Sequence, residues 1–170
     1  REPADTGVEQ PDGPRVAHGD LTVRAPRHRP RRSGSPGRGH TGGDVVVYLP
    51  KERVVVTGDL LGAGPSYLGD AYLTDWAATL DRLRALDFDM VLPGHGDAFQ
   101  GKAKIDHFQA YLKDFWRQAK ALHDEGLSAE EAARRIDLRP HAANYPAIRE
   151  AGVLNHGVYR AYDQIEGRVQ

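Results

Sequence analysis

No cysteine occurs among the 170 residues. Disulfides, thiolate-held zinc and Cys nucleophiles are therefore excluded, and any metal must be held by His, Asp, Glu or backbone groups. Long apolar runs are missing as well. Stretches such as Val45 to Leu49 fall far short of the roughly 20 residues that span a bilayer, and no apolar signal segment opens the chain. A soluble, cytoplasmic protein with no membrane partner is expected. Neither sign of charge dominates: 23 basic residues stand against 24 acidic ones, for a net charge of −1, so no global field draws nucleic acid, and none is expected as a partner. Methionine is also nearly absent, Met90 being the only one, and the chain opens on Arg1, which suggests a start lost upstream. What remains, 39% apolar and 28% charged residues, is ordinary for one soluble domain with a core.

Composition divides the chain near residue 39. Residues 1–39 hold six Gly and six Pro, and their large apolar side chains are Val8, Val16, Leu21 and Val23, too few to offset the entropy of ordering. Residues 1–38 are therefore expected to be disordered or atypical. Arg24 to Arg38 carries six Arg and no acid. A nucleic-acid-binding arm would interleave aromatics for base stacking, and their absence favours a solvated segment.

From Asp44 the texture changes. Val45 to Leu49 and Arg53 to Thr57 are β-branched runs joined by Pro50-Lys51-Glu52, the pattern of a β-hairpin. Gly58 to Gly69 follows as a Gly-rich loop. Leu73, Trp76, Leu80, Leu83 and Leu86 recur at three- and four-residue steps, which predicts a helix over 72–86. Asp89 to Leu92 is a short strand stopped by Pro93. Ile105, Phe108, Leu112, Phe115, Ala119 and Leu122 predict a second helix over 102–125, with Gly126 as its stop. Ser128-Ala129-Glu130-Glu131 matches a capping box opening a short helix, and a terminal helix is expected over 158–166. The fold class is α/β, with 39–100 as a strand-rich unit and 101–170 as a helical extension.

Three metal-competent side chains stand at the ends of these strands in Gly-rich turns: His40 in Gly39-His40-Thr41-Gly42-Gly43-Asp44, Asp59 in Thr57-Gly58-Asp59-Leu60, and His95 in Pro93-Gly94-His95-Gly96. Taken singly, a His beside Gly is more often a turn residue, and an Asp after a strand more often a cap. Together, imidazole nitrogens and a carboxylate able to bridge two ions make a coherent set for zinc, iron or manganese. Such a centre ionises bound water for attack on a carbonyl or phosphoryl group. Trp76 and Trp116 are expected as core anchors, and His107 and His123 as helix-surface residues. His141, Asn144, Tyr145 and His156 fall in an irregular C-terminal stretch where nothing singles them out.

In this order the motifs resemble the C-terminal half of the metallo-β-lactamase fold superfamily, which includes glyoxalase II-like thioesterases and other metallo-hydrolases. The resemblance implies a partial αββα sandwich with a helical C-terminal extension. It implies His40 as a ligand of a first metal, Asp59 as a carboxylate bridging two, and His95 as a ligand of the second. It also implies a hydrolase of ester, thioester or amide-type small molecules. The superfamily's N-terminal His-x-His-x-Asp-His motif has no counterpart here. His18-Gly19-Asp20 is the nearest fragment, and His28 lies among arginines that disfavour a cation. With three donors over two metal positions, weak metal binding and poor catalysis are expected, from truncation or scrambling upstream of Gly39. The alternative is a non-catalytic remnant acting through protein association, self-association through an exposed sheet face included.

Overall fold

The computed structural model describes residues 33–169. Residues 1–32, including His18-Gly19-Asp20 and His28, lie outside the described residues. Five strands form one mixed sheet in chain order: β1 (Ser33–Gly34), β2 (Val46–Leu49), β3 (Val54–Gly58), β4 (Met90–Pro93) and β5 (Phe99–Gln100). Four helices accompany them: α1 (Leu73–Arg84), α2 (Ala103–Asp124), α3 (Ala129–Arg135) and α4 (Asn155–Ile165). The α/β class is thus observed, with the helical extension following the sheet.

β2 and β3 form the expected antiparallel hairpin, with Val47 opposite Val56 and Leu49 opposite Val54. β4 lies parallel to β3, with Val55 beside Val91. The connection that this pairing demands is α1, because parallel neighbours need a crossover. Alternation along the strands sends Val55, Thr57 and Val91 into the core, while Leu92 stays exposed. Onto the buried face α1 lays the stripe Leu73, Trp76, Leu80 and Leu83, each nearly inaccessible to water. Ile105, Phe108, Leu112 and Phe115 of α2 continue the same core.

Helix ends follow local chemistry. Gly126 stops α2 with φ 82°, a conformation costly for any residue with a Cβ. The Ser128 hydroxyl accepts from the Glu131 amide, and the Glu131 carboxylate accepts from the Ser128 amide, completing the capping box of α3. The N-terminus of α1 is closed from a distance: the Leu73 amide donates to the Gln164 side chain of α4 at 3.0 Å. At the other end of α1, the Lys102 ammonium donates to the Arg84 and Leu86 carbonyls.

Two features depart from the pattern read in the sequence. Among the described residues, pairing in the sheet starts at Ser33, before the compositional seam, and Pro36 and Arg38 at the end of the Arg-rich segment are held by specific partners. Arg38 bonds Asp75 at 2.8 Å, and Arg82 bonds the Pro36 carbonyl. A periodicity argument is blind to such pairs because they join positions 37 and 46 residues apart. Likewise β5, two residues long, is too short to carry an alternation.

Candidate metal centre

Asp59 and His95 are neighbours because β3 and β4 are. Their strands run parallel and end at the same edge of the sheet, where open α/β sheets place ligands. The ladder extends one step further: the Gly94 amide donates to the Gly58 carbonyl at 2.8 Å. Between Val56 and Gly58 the register shifts, so that Gly58 stands opposite Pro93. This irregularity, with Gly58 at φ 53°, re-aims the chain just before Asp59. The Asp59 Oδ1 atom lies 3.5 Å from His95 Nε2.

The approach requires glycine. A Cβ on Gly94 would collide with Asp59 Oδ1 and come within 3.0 Å of the Gly58 carbonyl carbon. A Cβ on Gly96 would sit 2.7 Å from that of Ala63. These glycines let the His95 turn press against the Asp59 loop.

That loop is held through its main chain by side chains from four directions. Ser66 donates to the Asp59 carbonyl at 2.9 Å, the Trp76 indole to Leu60 at 2.9 Å, Thr57 to Leu61 at 2.9 Å and Lys104 to Ala63 at 2.8 Å. Fixing the backbone this way leaves the Asp59 side chain uncommitted: among the described residues nothing hydrogen-bonds its carboxylate. The pair lines a pocket of about 240 Å³ with Gly62, Gly64 and Ser66. The His95 side chain is 88% exposed and that of Asp59 35%, so both face solvent rather than a filled interior.

His40 stands elsewhere on the same framework. Its ring meets Trp76 edge-on with centroids 5.9 Å apart. Gly39, just before it, is buried so tightly that a Cβ would lie 2.6 Å from Leu60 and 2.8 Å from Trp76. Asp44 of the same motif is a turn former: it accepts from the Thr41 amide and hydroxyl at 3.1 and 3.0 Å. Trp76 therefore connects two parts of the motif set, touching His40 with its ring and holding the residue after Asp59 with its N–H.

The chemistry of the Asp59–His95 pair suits a shared divalent ion. It does not amount to a cage, since a catalytic zinc normally takes three protein ligands. Among the described residues, no group of three or more His, Asp or Glu side chains is close enough to hold an ion.

Trp76, His123 and His141 make packing or polar contacts within the fold. Trp76 is a core anchor as its spacing suggests, fully buried and edge-on to Phe108. His123 meets Glu166 at 3.1 Å and Tyr162 edge-on at 4.7 Å. His141 is 3.1 Å from Asp114 and edge-on to Tyr111, whose phenol burial pushes up to about 12. These contacts tie the irregular stretch to α2. Sequence reasoning missed Ser66, Thr57 and Lys104 as supports of the Asp59 loop. Only the Gly-rich composition of residues 58–69 hinted that the loop would need them.

Comparison with known proteins shows what the chain is similar to. The profile of the Metallo-beta-lactamase superfamily matches residues 28–95, the stretch that ends on His95. The match supports the metallo-beta-lactamase superfamily for this region. A linear primary-alkylsulfatase from a Pseudomonas species is 30% identical over 144 residues, which cover 75% of this chain and 26% of that protein. A type 2 metallo-beta-lactamase from Elizabethkingia meningoseptica is 32% identical over 92 residues, 51% of this chain and 36% of the relative. Among solved structures, a metallo-beta-lactamase from Pontibacter korlensis shares 29% identity over 48% of this chain and 40% of that one, with a TM-score of 0.44. The chain thus spans about a quarter to a third of the length of these two curated relatives. The matched stretch contains His40, Asp59 and His95. No helix among the described residues is long and apolar enough to cross a membrane.

Proposed function

We propose that this chain is part of a metal-dependent hydrolase, in which Asp59 and His95, with His40, contribute donors to a zinc centre acting on an ester, thioester or amide-type small molecule. Iron or manganese would suit the same donors. The observation that carries this reading is the 3.5 Å approach of His95 Nε2 to an Asp59 carboxylate that is otherwise without hydrogen bonds among the described residues. A carboxylate used only as a cap or turn former would be engaged by backbone amides, as Asp44 is.

Within the centre each element has a defined task. The Asp59 loop, pinned through its carbonyls, holds the carboxylate still without consuming its oxygens. Gly94 and Gly96 bring His95 against that loop. Because three donors do not converge among the described residues, the chain by itself is expected to bind zinc weakly and turn over slowly. Further ligands would come from the larger part of the family fold that the matched stretch does not span. The bond type stays broad because the relatives are named for different reactions.

Hydrolysis of p-nitrophenyl acetate tests the reading. Added zinc should raise the rate of the full chain above that of zinc alone, and Asp59→Asn should remove the increment. A rate that is the same with zinc and with a chelator would contradict it.

A further inference from the structure

Tyr72 is the N-cap residue of α1 and makes no side-chain capping bond. Its ties run to the turn that carries His40. The Tyr72 amide donates to the Gly39 carbonyl at 2.8 Å, while the Tyr72 carbonyl accepts from the Asp75 and Trp76 amides of the first helical turn. Its ring bears on the far side of the same turn, where a Cβ added to Gly42 would lie 3.3 Å from it. One residue thus joins the start of α1 to the chain on either side of His40.

Two guanidinium groups lie over that ring. The Arg38 guanidinium carbon is 4.5 Å from the ring centroid and that of Arg160 4.9 Å, distances at which a cation is drawn to an aromatic face. Arg38 belongs to the His40 segment and is anchored on α1: its guanidinium pairs with Asp75 at 2.6 Å, and its carbonyl accepts from the Thr79 hydroxyl at 2.6 Å. Arg160 comes from α4. It donates to the Ala71 carbonyl at 2.7 Å and to the Asp70 carbonyl at 3.3 Å, the two residues that lead into Tyr72. Gln164, also on α4, donates to the same Ala71 carbonyl at 2.7 Å.

We infer that Tyr72 is a positioning residue for His40, and that Arg160 makes the helical extension part of that task. The inference rests on the proposed function for what His40 does once it is placed. Bonds within the turn, from the Gly39 amide to the Thr41 carbonyl and from the Thr41 amide to Asp44, set its shape. They do not set its place against α1. The Tyr72 amide and ring do that, and Arg160 holds both the ring and the two carbonyls before it. The order of the His40 turn therefore depends on α4, a helix far away in the sequence.

Amide hydrogen exchange on the full chain without zinc tests this. The Thr41 and Gly43 amides, bonded inside the turn at 3.1 and 3.2 Å, report on it, and the amides of β3 and β4 serve as reference. Arg160→Ala removes one cation from the ring and leaves the Ala71 carbonyl to Gln164. Exchange at Thr41 and Gly43 should speed up about threefold or more, with the reference unchanged. Tyr72→Phe keeps the ring and the amide and should exchange at the native rate, whereas Tyr72→Leu, which loses the aromatic face, should match Arg160→Ala. If Arg160→Ala does not fold, the contrast between the Phe and Leu variants of Tyr72 carries the test.

Native exchange rates at Thr41 and Gly43 in the folded variants overturn the inference, and so does a speed-up shared equally by β3 and β4, which marks a merely structural role. Zinc titration of His40→Ala separates the two readings. A turn released by Arg160→Ala, with zinc affinity unchanged in His40→Ala, defeats the donor role of His40 and leaves the coupling to α4 standing. Zinc affinity that falls in His40→Ala, with the turn undisturbed in the Arg160 and Tyr72 variants, defeats the coupling alone.

Discussion

Gly94 packs so closely against Asp59 that a single added methyl group would collide with the carboxylate oxygen nearest His95. The glycine is thus part of how the pair is assembled rather than a passive turn residue.

Gly94→Ala should push the Asp59 carboxylate out of position. Supporting residues around metal ligands typically affect affinity by about 10- to 100-fold, and zinc affinity should fall within that span. Overpacking should also cost about 1–3 kcal/mol, measurable as a lower urea midpoint.

Trp76→Phe keeps much of the ring but leaves the Leu60 carbonyl without its donor. An unsatisfied buried acceptor costs about 1–3 kcal/mol, and the unfilled volume adds to it. Denaturant unfolding should show the loss. Because the same indole holds the residue after Asp59 and touches His40, zinc affinity should drop as well, which loss of packing at a remote site would not produce.

Asp137 supplies a pH-dependent element. Side-chain and backbone hydrogen bonds from Arg139 lower its carboxyl from 3.8 to about 2, and the guanidinium grips both oxygens at 2.9 and 2.7 Å. A pKa lowered by folding means that the contribution is complete above the unfolded value and is lost as pH falls through the folded one. The stability advantage of the native chain over Arg139→Gln should therefore be constant above pH 3.8 and shrink towards pH about 2. The side chains are largely exposed, so the advantage should be small and weaken with salt. Urea midpoints across that window measure it.

Much of the frame was legible because it rests on local pattern. The stripe from Leu73 to Leu83, the capping box at Ser128 and the stop at Gly126 depend on neighbours one to four positions away. The meeting of Asp59 and His95 could be anticipated from two strand ends joined by a helix. The supports of the Asp59 loop could not. Trp76 reaches Leu60 across 16 residues and Lys104 reaches Ala63 across 41, and neither residue type announces a carbonyl as its partner.

Zinc titration calorimetry on the full chain and on Asp59→Ala, His95→Ala and His40→Ala tests the central claim most directly. Weak saturable binding is predicted for the native chain, with affinity at least tenfold lower in the Asp59 and His95 variants and reduced in the His40 variant. Zinc binding of unchanged strength in Asp59→Ala would contradict the account.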